Sequence, residues 1–221
     1  MHFNPVWAAA ALACYLGGAI PFGWLTARLV KGVDLRTLGS GNIGATNAAR
    51  VLGTAWFVPI FALDFLKGFA PVAWLAPWVA KTWPCPVCVS LEPVLMALFG
   101  VAALAGHLFP VYLGFKGGKG VATGAGVVFA LSWVAGAVGL GVWIVLFLAF
   151  RYVSLASVVA AVALPVAQAL IARGDETGRR INLALFVGIA AVVVWRHGGN
   201  LKRIARGEEP RVRIAASGTK P

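Results

Sequence analysis

The sequence predicts an all-α protein threaded through a membrane, and three observations predict it. Of its 221 residues 60% are hydrophobic and only 12% charged, where soluble domains carry about a quarter charged residues. Mean hydropathy is +0.86. Apolar runs recur along the chain at the length of about 20 residues that a helix needs to cross a bilayer, and the polar residues gather between them.

Residues 6–30 form the first run. Asn4-Pro5 precedes it with no basic segment, so it reads as a retained helix and not as a cleavable signal. Residues 54–80 form the second, interrupted by Asp64 and Lys67. Charges inside a span are costly and usually paired, and a spacing of three puts these two on one helix face. They read as a structural ion pair, or as the lining of a polar cavity. Residues 91–113 form the third run, with His107 near its end. Residues 121–150 would make a single helix of about 45 Å, longer than one crossing needs. The glycines at 136, 139 and 141 suggest two helices joined by a turn near 132–136. Residues 152–172 and 181–195 complete the set.

Basic residues decide between six and seven spans, because Lys and Arg accumulate on the cytoplasmic side. Seven spans with the N-terminus outside and the C-terminus cytoplasmic put 14 of the 19 basic residues inside. Lys81, Arg173, Arg179 and Arg180 fall outside, and Lys67 lies within a span. Six spans split the charges evenly. About seven transmembrane helices in one domain, residues 1–221, is therefore the expectation. The net charge of +12 is distributed between apolar runs, which points to topology and anionic ligands and away from nucleic acid.

The seven-span reading puts three polar segments on one face. The first runs through Ser40-Gly41-Asn42-Ile43-Gly44-Ala45-Thr46-Asn47 to Arg50. It offers hydroxyl, amide and backbone donors, and Arg50 adds a planar fork suited to phosphate. An ordinary turn and helix cap is the plainer reading. The second is Gly114-Phe115-Lys116-Gly117-Gly118-Lys119-Gly120. Bare backbone can wrap an anion with its amides, and Lys116 and Lys119 add charge. It is not a nucleotide-binding P-loop, since Leu113 stands where that motif needs glycine and Gly120 where it needs Ser or Thr. The plainer reading is a turn followed by close helix packing. The third begins at Arg196-His197-Gly198-Gly199-Asn200. His197 is the side chain suited to proton transfer near neutral pH; a basic tail lying on anionic lipid is the plainer reading. Ser154 and Ser157, after Arg151, lie at the same interface, and His107 could reach the site or simply bond a backbone carbonyl. Cys85 and Cys88 have redox or metal spacing but no further ligands nearby, so a local disulfide or an incidental pair is expected. The residues call for no metal and no cofactor.

Together these segments resemble one family. Ser-Gly-Asn-Ile-Gly-Ala-Thr-Asn with Arg50 three residues on, Gly-Gly-Lys-Gly-Val-Ala-Thr, and His-x-x-Asn-Leu-x-Arg-Ile-x-x-Gly-x-Glu are similar, in order and over nearly the whole chain, to the signature segments of the bacterial acyl-phosphate:glycerol-3-phosphate acyltransferases. Leu201 and Ile204 replace commoner aliphatics, and the Cys85 and Cys88 loop is outside the pattern. The resemblance implies transfer of a fatty acyl group from a long-chain acyl phosphate to the sn-1 hydroxyl of glycerol 3-phosphate, giving lysophosphatidic acid and phosphate, the first acylation of phospholipid synthesis. It implies an inner-membrane enzyme with its site facing the cytoplasm, served by the peripheral enzyme that makes acyl phosphate. It implies that Ser40 and Arg50, with Asn42 and Asn47 in the same segment, hold substrate; that Lys116, Lys119 and the amides of Gly117, Gly118 and Gly120 cradle a phosphate; that His197 and Asn200 orient the hydroxyl or relay its proton; and that Glu209 fixes the tail through a basic neighbour. Lys67, Asp64, His107, Ser154 and Ser157 would support the site. A transporter for an anionic solute and a lipid-binding scaffold are the rival readings of the residues alone.

Overall fold

The computed structural model describes residues 4–85, 91–171 and 176–212, and they form helices joined by short loops. Helix α1 (Pro5–Ala19) opens with Asn4 as cap, its Oδ1 accepting from the Val6 amide at 2.9 Å, and with proline in its first turn, where a missing N–H costs nothing. Ile20-Pro21 breaks the first apolar run. The chain resumes as α2 (Phe22–Lys31) after a 40° bend. A single turn at Leu35–Thr37 leads through the first polar segment to α3 (Ala45–Leu52), and α4 (Phe57–Ala70) follows. A π-turn at Pro71–Leu75 passes α4 into α5 (Ala76–Thr82). Then come α6 (Leu91–Leu108), α7 (Val121–Leu131), α8 (Trp133–Phe150), α9 (Val153–Ile171), α10 (Glu176–Arg196) and α11 (Gly198–Ala205).

Among the described residues five helical stretches are long and apolar enough to cross a membrane, or six if the bent α1–α2 pair counts as one span. The exterior is apolar, with Leu29, Val58, Val145 and Leu170 all facing outward. The expected division of residues 121–150 is present. Ser132 leaves the helical region (φ −155°, ψ 95°) and its side chain accepts from the Ala135 amide. The resulting α7 has 11 residues and is about 16 Å long, short of the roughly 30 Å hydrocarbon layer. Cys14 is buried and free; Cys88 lies outside the described residues, so the expectation for Cys85 and Cys88 does too.

Two helix pairs approach backbone to backbone. Gly18 and Gly106 bring α1 against α6, and Gly68 and Gly126 bring α4 against α7; a Cβ at any of these would run into a backbone carbonyl of the facing helix. Small residues at such crossings let helices pack closely in a membrane. The α4–α7 contact holds the second polar segment beside the first. Gly126→Ala is therefore expected to lower stability by about 1–3 kcal/mol, the usual cost of overpacking, read as a lower thermal midpoint in detergent. Gly141, with no atom near its Cβ direction, is the control and its alanine variant should be neutral.

Buried polar groups tie the same region together. Lys67 Nζ lies 2.9 Å from Asp64 Oδ1 and donates at 3.0 Å to Ile20 O, a carbonyl at the α1–α2 break that also accepts from Phe22 N at 3.2 Å. The two side chains form an ion pair, and Asp64 also lines the polar cleft described below. Thr123, fully buried, donates from Oγ1 to Asp64 O at 2.9 Å.

Candidate functional site

A cleft of about 120 Å³, open to solvent, lies where α3, α7, α9 and α11 meet. All three polar segments line it. Ser40, Asn42, Asn47 and Arg50 come from the first, Lys119 and Gly120 from the second, and His197, Asn200 and Glu209 from the third, with Asp64, His107, Ser154 and Ser157 between them. Segments up to 169 positions apart in sequence (Ser40 to Glu209) are thereby assembled into one site.

The tightest part of this assembly is a chain of hydrogen bonds. Lys119 Nζ donates to Asn200 Oδ1 at 2.5 Å, and Asn200 Nδ2 donates to Glu209 Oε1 at 2.7 Å. An ammonium only donates and a carboxylate only accepts, so the orientation of the Asn200 amide is fixed by its neighbours. Glu209 also receives Ser154 Oγ at 2.9 Å and Arg203 Nε at 2.8 Å. Arg203 is the basic neighbour expected for Glu209. Burial raises the Glu209 carboxyl, but the bonds from Asn200, Ser154 and Arg203 and the Arg203 charge outweigh it and hold the group below its ordinary value. Past Glu209, Val212 N donates to Arg151 O at 3.0 Å and Arg211 Nε to the Tyr152 hydroxyl at 3.0 Å. The tail is thus strapped over the α8–α9 corner, which delivers Glu209 to the cleft.

Burial pushes the Lys119 ammonium down to about 8; the Glu209 charge works against that, and the Arg203 and Arg50 charges add to it. At neutral pH it remains mostly a cation, close to a second cation, Arg50, that forms no ion pair with an acid among the described residues. His197 differs. Burial first, then the Lys119 charge, push its imidazole down to about 4, so the ring is neutral. Its Nδ1 lies 2.8 Å from Val193 O. That carbonyl can only accept, so Nδ1 carries the hydrogen and Nε2 is left as an acceptor.

Two helix N-termini complete the electrostatics. Gly44, Ala45 and Thr46 at the start of α3, and Gly120, Val121 and Ala122 at the start of α7, border the cleft. No side chain caps either helix. Unpaired amides and the positive end of the helix dipole favour an anion there.

Some expected site residues are placed otherwise. Asn47 is buried, and its side chain is spent on the loop itself: Nδ2 donates to Leu35 O, Leu38 O and Asn42 O at 2.9–3.2 Å, and Oδ1 accepts from Ser40 N at 2.8 Å. It shapes the first segment. Asn42 lines the cleft while its Oδ1 accepts from Gly44 N at 2.9 Å. Gly118 N donates to His107 O at 3.1 Å, and a Cβ on Gly117 or Gly118 would strike the end of α6. These glycines serve close packing, and the residues of this stretch that border the cleft are Lys119, Gly120 and the start of α7. Lys116 is exposed and lies outside the cleft. His107 is buried with Nδ1 3.8 Å from Asp64 Oδ1. Ser157 donates to Val153 O at 2.8 Å and accepts from Trp143 Nε1 at 3.1 Å.

The sequence reading named none of the residues that form the apolar part of the site. Phe57, Phe61, Val121 and Trp143 line the cleft and, with Ser157, also line a second cavity of about 370 Å³ that continues from it between α4, α7, α8, α9 and α10. The repeat of phenylalanine at 57, 61 and 65 was the available signal, since it places three rings on one helix face. The rings stack in succession at 5.8 and 6.4 Å.

Comparison with known proteins bears on this arrangement. The model of the glycerol-3-phosphate acyltransferase family matches residues 8–207. A glycerol-3-phosphate acyltransferase of Aquifex aeolicus (strain VF5) is 42% identical over 198 residues, covering 89% of this chain and 94% of that one. One of Prochlorococcus marinus (strain NATL1A) is 41% identical over 201 residues, covering 90% and 94%. Two solved structures share the fold. The glycerol 3-phosphate form of PlsY (YgiH), an integral membrane glycerol 3-phosphate acyltransferase, superposes with a TM-score of 0.80 at 39% identity, over 94% of this chain and 96% of that one. The lysophosphatidic acid form superposes with a TM-score of 0.77 at 38% identity.

Proposed function

This chain belongs to the PlsY-type glycerol-3-phosphate acyltransferase family, and we propose that it takes the acyl group from a long-chain acyl phosphate and gives it to the sn-1 hydroxyl of glycerol 3-phosphate. The observation that carries the reading is the continuity of a cationic, amide-edged cleft with an apolar groove. Such a cavity suits a donor with an anionic head and a hydrocarbon tail, beside a small anionic acceptor. The glycerol 3-phosphate and lysophosphatidic acid forms of the related structures support the acceptor and product.

In the proposed reaction the sn-1 oxygen attacks the acyl carbonyl, the new ester bond forms, and the bond to the phosphate oxygen breaks. Lys119, Arg50 and the first amides of α3 and α7 stabilise the charge that develops on the carbonyl and phosphate oxygens. The departing phosphate takes the hydroxyl proton. The neutral His197 accepts a hydrogen bond at Nε2 and orients the hydroxyl, and Ser40 holds substrate at the open rim. Asn200 and Glu209 hold Lys119 in place. No cysteine lines the cleft, and direct attack needs no thioester. The topology that fits is seven membrane-embedded helices, α7 being the short one, with the N-terminus outside. The cleft then opens to the cytoplasm at the inner membrane, where a peripheral enzyme could deliver acyl phosphate.

Release of phosphate from acyl phosphate that depends on glycerol 3-phosphate tests the reading. Full activity and normal affinity in His197→Ala would remove the role given to that ring. Lys119 gives a pH prediction. Its pKa of about 8 in the free site means that the cation is present below that pH and lost above it, so kcat/KM for glycerol 3-phosphate should fall as pH rises past about 8. A kcat/KM that climbs steadily to pH about 10 would contradict it.

A further inference from the structure

The apolar groove has a built end. Its lining residues come from five helices, and four of them give nearly the same depth. On α4 they run from Phe57 to Phe65, on α7 from Val121 to Phe129, on α8 from Trp143 back to Gly136, and on α9 from Ser157 to Leu164. At 1.5 Å per residue each stretch spans about 11–12 Å. The upper members of all four also line the polar cleft, and the lower members meet one another. The Phe65 and Phe129 rings pack edge to face at 5.8 Å, closing the groove between α4 and α7. The Phe129 ring also covers Gly136 so closely that a Cβ there would sit 2.8 Å from it.

We propose that the Phe65–Phe129 pair is the gauge that sets the length of acyl chain this enzyme prefers. The inference rests on the reading of the groove as the acyl site, and it holds whichever activated donor brings the chain. A chain that reaches the pair gains apolar burial with every methylene up to it. Further carbons must displace the rings or leave the groove sideways, past the exposed Leu140. Val121, Ala125 and Phe129 lie one turn apart on a single face of α7 and all line the groove, so the stop can be moved along that helix in either direction.

The test measures kcat/KM for saturated chains of graded length, each supplied both as acyl phosphate and as acyl-CoA, with purified full-length enzyme. Phe129→Ala should shift the preference to longer chains, raising the ratio of the longest to the mid-length donor by about tenfold, since each methylene newly seated in an apolar pocket is worth a fewfold. Ala125→Phe should shift it to shorter chains. The KM for glycerol 3-phosphate should stay within about twofold in both, because neither residue touches the cleft. Length profiles that coincide with wild type in both variants, whichever donor is used, would overturn the gauge. Shifted profiles seen only with acyl-CoA would uphold the gauge and overturn acyl phosphate as donor. Transfer from neither donor by the wild type would overturn both. Phe129→Leu, which keeps the site filled, should give a smaller shift in the same direction and guards against misfolding of the alanine variant.

Discussion

Replacing Lys119 by methionine should cut kcat/KM by about a thousandfold while leaving the protein folded. Methionine keeps most of the apolar stem and removes the ammonium, its charge and its hydrogen-bond donors. That charge is the innermost cation of the cleft, held by Asn200 Oδ1 at 2.5 Å and backed by Glu209. A preorganised donor aimed at developing negative charge in a partly dry site is worth about 10²–10³ in rate, and the loss of ground-state attraction for phosphate adds to it. Arginine should rescue poorly, because a planar fork cannot occupy the position of a compact ammonium. Steady-state kinetics with both substrates varied checks this; a loss below about tenfold would take Lys119 out of the reaction. Glu209→Gln should do less harm, since it keeps the volume and one acceptor for Asn200 and Ser154.

Asp64→Ala should be the most destabilising single change, by about 3–5 kcal/mol, because it leaves a buried ammonium without its partner. The side chains of Lys67 and Asp64 are 6% and 4% exposed and sit 2.9 Å apart. Lys67 would keep the Ile20 carbonyl and the Phe22 ring face but no counter-charge, which weakens its hold on the α1–α2 break. The double variant Asp64→Ala with Lys67→Met should recover much of the loss, as removing both charges leaves nothing unpaired. Thermal unfolding in one detergent, all variants side by side, measures it. A double variant no more stable than Asp64→Ala would show that the pair is not what holds this region.

How much of this was legible beforehand depended on whether the cause lay in local sequence. The apolar runs and the break near Ser132 were legible, because crossing length and glycine content are local. The convergence of the three polar segments was legible through charge, since the expectation that basic residues gather on one side grouped them together. The site's inner wiring was not. Gly117 and Gly118 read as bare backbone for an anion, yet they are glycines because the loop tucks under the end of α6; nothing within the loop reveals what will press on it. Asn47 read as a donor to substrate, and its amide turned out to staple carbonyls from positions 35 to 42. Ser154 and Glu209 meet across 55 positions, which no local pattern encodes. The phenylalanine stripe of α4 was visible as helical spacing, but only the packing of α7 and α8 turns it into the wall of a groove.

The measurement that tests the central claim most directly supplies purified enzyme and glycerol 3-phosphate with acyl phosphate, acyl carrier protein thioester and acyl-CoA in separate assays, following lysophosphatidic acid and released phosphate. Equimolar lysophosphatidic acid and phosphate from acyl phosphate, with little product from the two thioesters, is the predicted result. Product from acyl-CoA alone would contradict it.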